Sequence, residues 1–251
     1  MTAPTTAAAV GLAASAPTAG PVIDLRDARK TYRTGDLEFE ALRGVDLRIE
    51  RGEYVAIVGP SGSGKSTLMN VLGCLDTLTA GTYRIAGDDV DDMDETDLAS
   101  VRNEQIGFVF QQFNLLPSLS ALRNVELPLV YRGVAPVERR ARAAQALERV
   151  GLGDRTANRP GQLSGGQQQR VAVARALVGE PALVLADEPT GNLDSRSTAD
   201  VLDLFDALHA HGRTIVLITH EHEVAERSRR VVRVLDGLIT SDAPSGRAVA
   251  P

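Results

Sequence analysis

Nine consecutive residues restrict the fold of this 251-residue chain more than any other feature: Gly59, Pro60, Ser61, Gly62, Ser63, Gly64, Lys65, Ser66 and Thr67. They fit the pattern G-x-x-x-x-G-K-[ST], and their flanks give that pattern chemical meaning. Ahead of the loop, Tyr54 to Val58 is a short apolar run of the kind that forms a buried strand. Behind it, Leu68, Met69, Val71, Leu72 and Leu75 recur at helical spacing. Glycine lets the loop curl until successive amides point at one spot at a helix N-terminus, which makes a nest for anions. Lys65 then reaches the β- and γ-phosphates, and the Ser66 hydroxyl holds Mg²⁺. Of the 27 basic residues only Lys30 and Lys65 are lysine, so a chain built on arginine keeps a compact ammonium in this loop. The segment reads as a nucleoside triphosphate site.

The Mg²⁺ shell needs acid at the same edge of the sheet. Ala182 to Ala186 is apolar throughout and delivers Asp187 and Glu188 at its end, where open parallel sheets bind their ligands. Asp187 is expected to support the metal through its waters, and Glu188 to polarise a water that attacks the γ-phosphate. A third segment, Leu163 to Arg170, opens a helical run. Ser164 is a fitting N-cap, and Gly165 and Gly166 leave the first amides bare. That makes two anion-binding helix starts but one phosphate loop. The economical solution is a homodimer in which this helix start meets the γ-phosphate held by the other subunit.

With these motifs in order, the chain resembles the ATP-binding cassette (ABC) ATPases over roughly residues 22–240. The resemblance implies an α/β fold with a parallel-sheet phosphate-loop core, an antiparallel β subdomain and a helical subdomain nested at about residues 94–176. ATP and Mg²⁺ are the implied ligands. Tyr32 looks like the aromatic that stacks on adenine. Gln111 is similar to the glutamine that joins the core to the helical subdomain and senses Mg²⁺ and the lytic water. The run Gly191 to Asp194 looks like the loop that couples the two sites of the dimer. His220, at the end of the apolar run Thr214 to Thr219, resembles the family's γ-phosphate histidine. The stretches Leu68–Asp76, Phe113–Ser120, Arg159–Gln167 and Asp187–Asp194 are similar to the macrolide-efflux and lipoprotein-release branch.

Composition agrees. Hydrophobic residues make up 43% and charged residues 24%, ordinary for a soluble globule. The net charge of −6, without a lysine-rich tract, gives no field that draws nucleic acid. A single Cys74 allows no internal disulfide, and its expected place is the helix after the phosphate loop, as a small buried hydrophobe. Residues 1–21 and 241–251 read as flexible tails. The first of these is mainly Ala and Thr, with no basic residue ahead of its apolar part, which argues against a signal peptide. No segment approaches transmembrane length, so a membrane role has to come through a partner.

Elsewhere, Val22 to Leu25 and Val45 to Ile49 alternate apolar and polar residues, as strands with one wet face do, and Tyr83 to Ile85 is expected to join them. Seven acids between Asp88 and Asp97 lack the spacing of a Ca²⁺ loop and suit a solvated turn and a helix start. His209, His211 and His222 are expected at the surface. Between Gln111 and Tyr131 apolar residues crowd a connecting loop, with Phe113, Leu115, Leu116, Leu119 and Leu122 in it, while Pro117 and Pro128 are expected to interrupt helices. The resemblance implies that part of this surface takes a helix of a transmembrane permease subunit.

The expected function is therefore an ATP-hydrolysing subunit at the cytoplasmic face of the cell membrane. It would dimerise on ATP to drive a permease that exports or extracts a hydrophobic or lipid-linked substrate. The alternatives are an importer cassette, a cell-division-type mechanical cassette, or a soluble ABC ATPase without a membrane partner.

Overall fold

The strands expected from alternation build an antiparallel sheet. The computed structural model describes residues 20–35 and 37–246; the expected N-terminal tail through residue 19 and the last five residues lie outside that range. β1 (Ile23–Thr34) and β2 (Leu37–Ile49) pair antiparallel, with Ile23 opposite Ile49 and Tyr32 opposite Phe39. Val45, Leu47 and Ile49 are buried while Asp46 and Arg48 face water, so period two selects the packed face. β3 (Tyr54–Val58) is buried at every position and leads through the phosphate loop into α1 (Lys65–Leu72). β4 (Ala80–Ile85) returns beside β1, and β5 (Asp88–Asp89) completes the sheet order β2-β1-β4-β5. The Tyr83 hydroxyl, fully buried, donates to the Leu72 carbonyl at 2.8 Å and ties the last turn of α1 to this sheet.

α2 (Glu95–Gln105) starts where the acidic stretch ends. Asp94 caps it, accepting from the amides of Thr96 (2.8 Å) and Asp97 (2.9 Å). β6 (Ile106–Phe110) then pairs parallel into the main sheet. The span 94–176 is therefore not wholly helical: its apolar run Ile106–Phe110 is buried as a core strand, and α2 sends Leu98 and Val101 into the core shared with the antiparallel sheet. The helical part continues with α3 (Ala121–Tyr131), α4 (Pro136–Arg149) and α5 (Gly165–Leu177). Pro128 does not interrupt α3, which runs three residues past it.

β7 (Leu183–Asp187), α6 (Ser195–Ala210), β8 (Ile215–Ile218) and the one-turn α7 (His222–Ala225) follow. β9 (Arg230–Leu235) and β10 (Leu238–Pro244) close a six-stranded sheet in the order β10-β9-β3-β8-β7-β6, parallel except at β10. The expected tail boundary at 241 is corrected here, because residues 241–244 continue β10 and pair with β9.

Successive residues of the central strands point to opposite layers. Leu183, Leu185, Val216 and Ile218 join α1 and the antiparallel sheet; Val184, Ala186, Ile215 and Leu217 join α3 to α6. Each fully buried Leu or Ile contributes about 1.5–3 kcal/mol, so both layers hold the sheet firmly. Cys74 is buried as expected but lies beyond the end of α1, in a left-handed conformation (φ 52°), and burial pushes its thiol up to about 11. His209 is half-buried rather than at the surface, its ring 5.6 Å from that of Tyr54.

Candidate functional site

Register brings the expected motifs to one edge. Ile57 pairs with Ile218, Ile218 with Asp187, and Asp187 with Phe110, so these four residues stand level across four parallel strands. The segments that follow them carry Gly59, Thr219 and His220, Glu188, and Gln111. All of them emerge at the carboxyl edge, the ligand-binding edge of an open parallel sheet.

Gly62 (φ 78°) and Gly64 (φ 103°) supply the left-handed turns that curl the phosphate loop into α1. A Cβ at Gly64 would also meet the Ala41 carbonyl at 2.7 Å, and one at Gly59 would meet the Val234 carbonyl at 2.1 Å. The loop is thus wedged between β2 and β9, and these two positions admit only glycine. Lys65 Nζ donates to the carbonyls of Gly59 (2.7 Å) and Pro60 (2.8 Å), which arches the loop and spends two of its three donors. Ser66 and Thr67 lie in the first turn of α1, and no acidic side chain lies in that turn to compete for its amides.

Asp187 ends β7 half-buried. Burial raises its carboxyl pKa, and repulsion from Glu188 adds to this, against the attraction of Lys65. Asp187, Ser66 and Gln111, carried at the same edge of the sheet, offer a carboxylate, a hydroxyl and an amide oxygen, an all-oxygen donor set of the chemistry Mg²⁺ requires. These residues fit the ion. Glu188 adopts φ 43°, a left-handed conformation costly for a non-glycine residue and typical of a constrained site. Its carboxylate faces the end of β8. Oε1 accepts from the His220 amide (3.1 Å) and lies 2.7 Å from His220 Nδ1, while Oε2 accepts from Thr219 Oγ1 (3.1 Å). The hydrogen bond to Glu188, then its charge, raises the His220 pKa.

Gln111 lies against the segment after Glu188. The Asn192 side chain donates to the Gln111 carbonyl at 3.0 Å, and a Cβ on Gly191 would meet Gln111 Nε2 at 2.6 Å. Phe113 and Asn114 turn the chain sharply through left-handed conformations (φ 60° and 48°). Arg175 of α5 holds that turn, donating to the carbonyls of Phe113 (2.9 Å) and Asn114 (2.5 Å), and its burial lowers its own pKa. Asn124, fully buried, accepts from the Leu116 amide (2.7 Å) and donates to the carbonyls of Leu116, Leu119 and Ser120. The apolar loop is therefore fixed from both ends, with Leu116 left exposed.

Ser164 caps α5 through a capping box, its hydroxyl accepting from the Gln167 amide (3.3 Å) and its amide donating to Gln167 Oε1 (3.0 Å). Gly166 allows α5 to touch α6, since a Cβ there would stand 2.7 Å from Ser197 Oγ. Asp194 caps α6 and accepts from the same Ser197, both amide and hydroxyl at 2.9 Å, which lowers its carboxyl pKa. Within one chain, then, the Ser164–Gly166 helix start is packed against the Gly191–Asp194 loop. Tyr32, on β1 and part exposed, donates its hydroxyl to Asp76 Oδ2 at 2.9 Å, and the side chain of Thr67 in the phosphate loop reaches the same phenol.

Sequence reasoning missed Thr219, Arg175 and the pair Lys30–Asp76. Each works through a contact with a segment distant in the chain, and none sits in a periodic pattern. The composition did mark Lys30, as the other lysine.

The sequence family described as ABC transporter matches residues 42–191. The chain is 57% identical over 230 residues to the macrolide export ATP-binding/permease protein MacB of Hyphomonas neptunium, covering 92% of this chain and 36% of that protein. It is 54% identical over 228 residues to the uncharacterized ABC transporter ATP-binding protein YknY of Bacillus subtilis, covering 91% and 99% respectively. Thus the chain spans about a third of the length of the export ATP-binding/permease relatives it matches and nearly all of YknY. A solved dimer of the ATP-binding cassette MJ0796, in a post-hydrolysis state bound to ADP and Pi, superposes with a TM-score of 0.81 at 44% identity, covering 90% of this chain and all of that one.

Proposed function

The chain belongs to the ABC transporter family, and on that premise we propose that it is the ATP-hydrolysing subunit of a membrane complex. Two copies close on ATP and Mg²⁺ and drive a separate permease that exports or extracts a hydrophobic or lipid-linked substrate. The observation that carries this reading is the meeting of the phosphate loop, Asp187, Glu188, His220 and Gln111 at one strand edge.

Residues Gly59–Thr67 cradle the phosphates, Lys65 neutralises them, and Tyr32 stacks on the adenine. Ser66, Gln111 and Asp187 would hold Mg²⁺, which would supply charge neutralisation at the phosphates. Glu188 takes the proton of the attacking water, and His220, bonded to Glu188, contacts the γ-phosphate. Ser164, Gly165 and Gly166 of a second copy bring a helix N-terminus to the same phosphate, with Asp194 in the loop that joins the two sites.

MJ0796 is a dimer in its solved state, and MacB is named for macrolide export; both support the dimer and the export reading. Among the described residues no helix is long and apolar enough to cross a membrane. The ABC transporter ATP-binding protein YknY, 99% of whose length this chain covers, supports a permease on another chain and with it a place for this subunit at the cytoplasmic face of the cell membrane. The test is co-expression with a permease subunit drawn from the genes that flank its own. Co-purification from membranes, with substrate-stimulated ATP hydrolysis in liposomes, is the expected result. A chain that hydrolyses ATP but captures no permease would replace this reading with that of a soluble ABC ATPase.

A further inference from the structure

Of the two lysines, Lys65 belongs to the phosphate loop; Lys30 has no part in the chemistry above. It precedes Tyr32 by two positions on β1, across an irregularity in the pairing with β2, and both side chains reach Asp76. Its ammonium donates to Asp76 Oδ1 at 2.5 Å and to the Thr77 carbonyl at 2.7 Å. It also lies 5.2 Å from the centroid of the Tyr32 ring. The other oxygen of the same carboxylate accepts from the Tyr32 hydroxyl. One carboxylate therefore fixes both the phenol and the cation against its ring.

The Lys30 side chain is only 12% exposed, whereas Tyr32 keeps 38% of its surface open. With one ring face under the ammonium, a base has the opposite face to stack on. A compact ammonium with three rotatable donors meets two acceptors and a ring face at once. Burial works against ionisation of Asp76, yet the hydrogen bonds from Lys30, Tyr32 and the Thr77 amide hold its pKa below the ordinary value.

Asp76 follows α1, the helix that begins at the phosphate loop. The Thr79 amide donates to the Arg29 carbonyl (2.8 Å), and the Thr31 amide donates to Thr79 Oγ1 (3.0 Å). The exit of α1 is thus laced to the strand that carries Tyr32. That lacing fixes the span between the phosphate loop and the ring.

We propose that Lys30 and Asp76 are positioning residues that hold Tyr32 as a purine-stacking face at a set distance from the phosphate loop. This rests on the reading of Tyr32 as the adenine platform, so the experiment separates the two.

Equilibrium binding of MgATP and of inorganic tripolyphosphate with Mg²⁺ is measured on the full chain and on Tyr32→Ala, Asp76→Ala and Lys30→Met. Tyr32→Ala is expected to weaken ATP by about 5- to 100-fold, the worth of one stacked base, and to leave tripolyphosphate unchanged. Asp76→Ala and Lys30→Met are each expected to weaken ATP by about 3- to 10-fold with tripolyphosphate unchanged, and to raise KM for ATP while kcat holds. Wild-type ATP affinity in both, with a defective Tyr32→Ala, overturns the proposal and leaves the platform reading intact. Unchanged ATP affinity in Tyr32→Ala overturns the platform itself. A parallel loss of tripolyphosphate binding in Asp76→Ala and Lys30→Met also overturns the proposal, because the pair then serves the fold and not the base.

Discussion

Glu188 Oε1 stands 2.7 Å from Nδ1 of His220 and accepts from the amide of the same residue. Glu188, just after β7, and His220, two residues past β8, therefore act as one unit, with Thr219 bonded to the second carboxylate oxygen. Glu188 raises the pKa of His220, first by the hydrogen bond and then by its charge. A histidine raised above its unfolded value contributes stability that is fully present below that unfolded value and is lost as pH rises through the folded one. An NMR titration of the His220 ring should give a pKa above the ordinary histidine value in wild type and a lower one in Glu188→Gln. Equal values in the two proteins would show that the pair does not couple in solution.

Chemistry and binding should separate at two neighbouring positions. Glu188→Gln keeps the shape but removes the proton acceptor, and should lower ATP hydrolysis by about 10²- to 10⁴-fold with ATP affinity kept. Lys65→Ala removes charge-assisted hydrogen bonds worth roughly 1.5–3 kcal/mol each and should weaken nucleotide binding itself. It also frees the carbonyls of Gly59 and Pro60, which Lys65 now ties. Hydrolysis at the wild-type rate in Glu188→Gln would remove Glu188 from the role of base.

The acidic limb of Mg²⁺ binding should report on Asp187. Its carboxyl is raised by burial and then by Glu188, and lowered by Lys65. A metal ligand must be deprotonated, so Mg²⁺-dependent nucleotide binding should fail at a higher pH than an ordinary aspartate would set. Glu188→Gln removes the repulsion and should move that limb to lower pH. Mg²⁺ titrations across pH, read by nucleotide fluorescence, give the comparison; superimposable limbs in the two proteins contradict the assignment of Asp187 to the metal.

The phosphate loop, the acids after β7 and the start of α5 were legible because each is a contiguous run whose meaning depends on its own flanks. Tyr54 to Val58 is apolar without a break and became a strand buried on both faces. The alternation in Val45 to Ile49 became a strand with one wet face. What the sequence concealed depends on pairing. Ile106 to Phe110 was too short to be told from helix, and register with β7 made it a strand. Residues 241–244 carry no strong pattern, and β9 alone orders them. Arg175 reaches a turn whose left-handed conformations at Phe113 and Asn114 no local signal announces.

ATP should drive association. A helix start capped by Ser164 and packed on α6 through Gly166 is rigid enough to present bare amides to another chain's phosphate. Glu188→Gln with ATP and Mg²⁺ should elute as a dimer in size-exclusion chromatography, and as a monomer without nucleotide. Adding Ser164→Arg fills the contact and should abolish the dimer. A dimer that survives in the double variant sinks the head-to-tail arrangement.

The exposed face of the loop after Gln111 should be where the permease docks. Leu115 and Leu122 pack inward, while Leu116 keeps 46% of its surface exposed. An apolar side chain held open at that level needs a rigid support, and Asn124 supplies it through bonds to both the amide and the carbonyl of Leu116. Arg175 ties the preceding turn to α5, and Asn192 ties Gln111 to the loop that ends at Asp194. A displacement at the phosphate edge therefore passes into this loop through hydrogen bonds at both ends. Leu116→Glu places a charge where an apolar helix would sit, at a desolvation cost of several kcal/mol against roughly nothing in free solution. Co-purification with the permease and permease-stimulated hydrolysis should both fall by about tenfold or more, with ATP binding by the isolated chain unchanged. Normal capture and stimulation in Leu116→Glu would move the docking surface elsewhere on the lobe, away from the loop that follows Gln111.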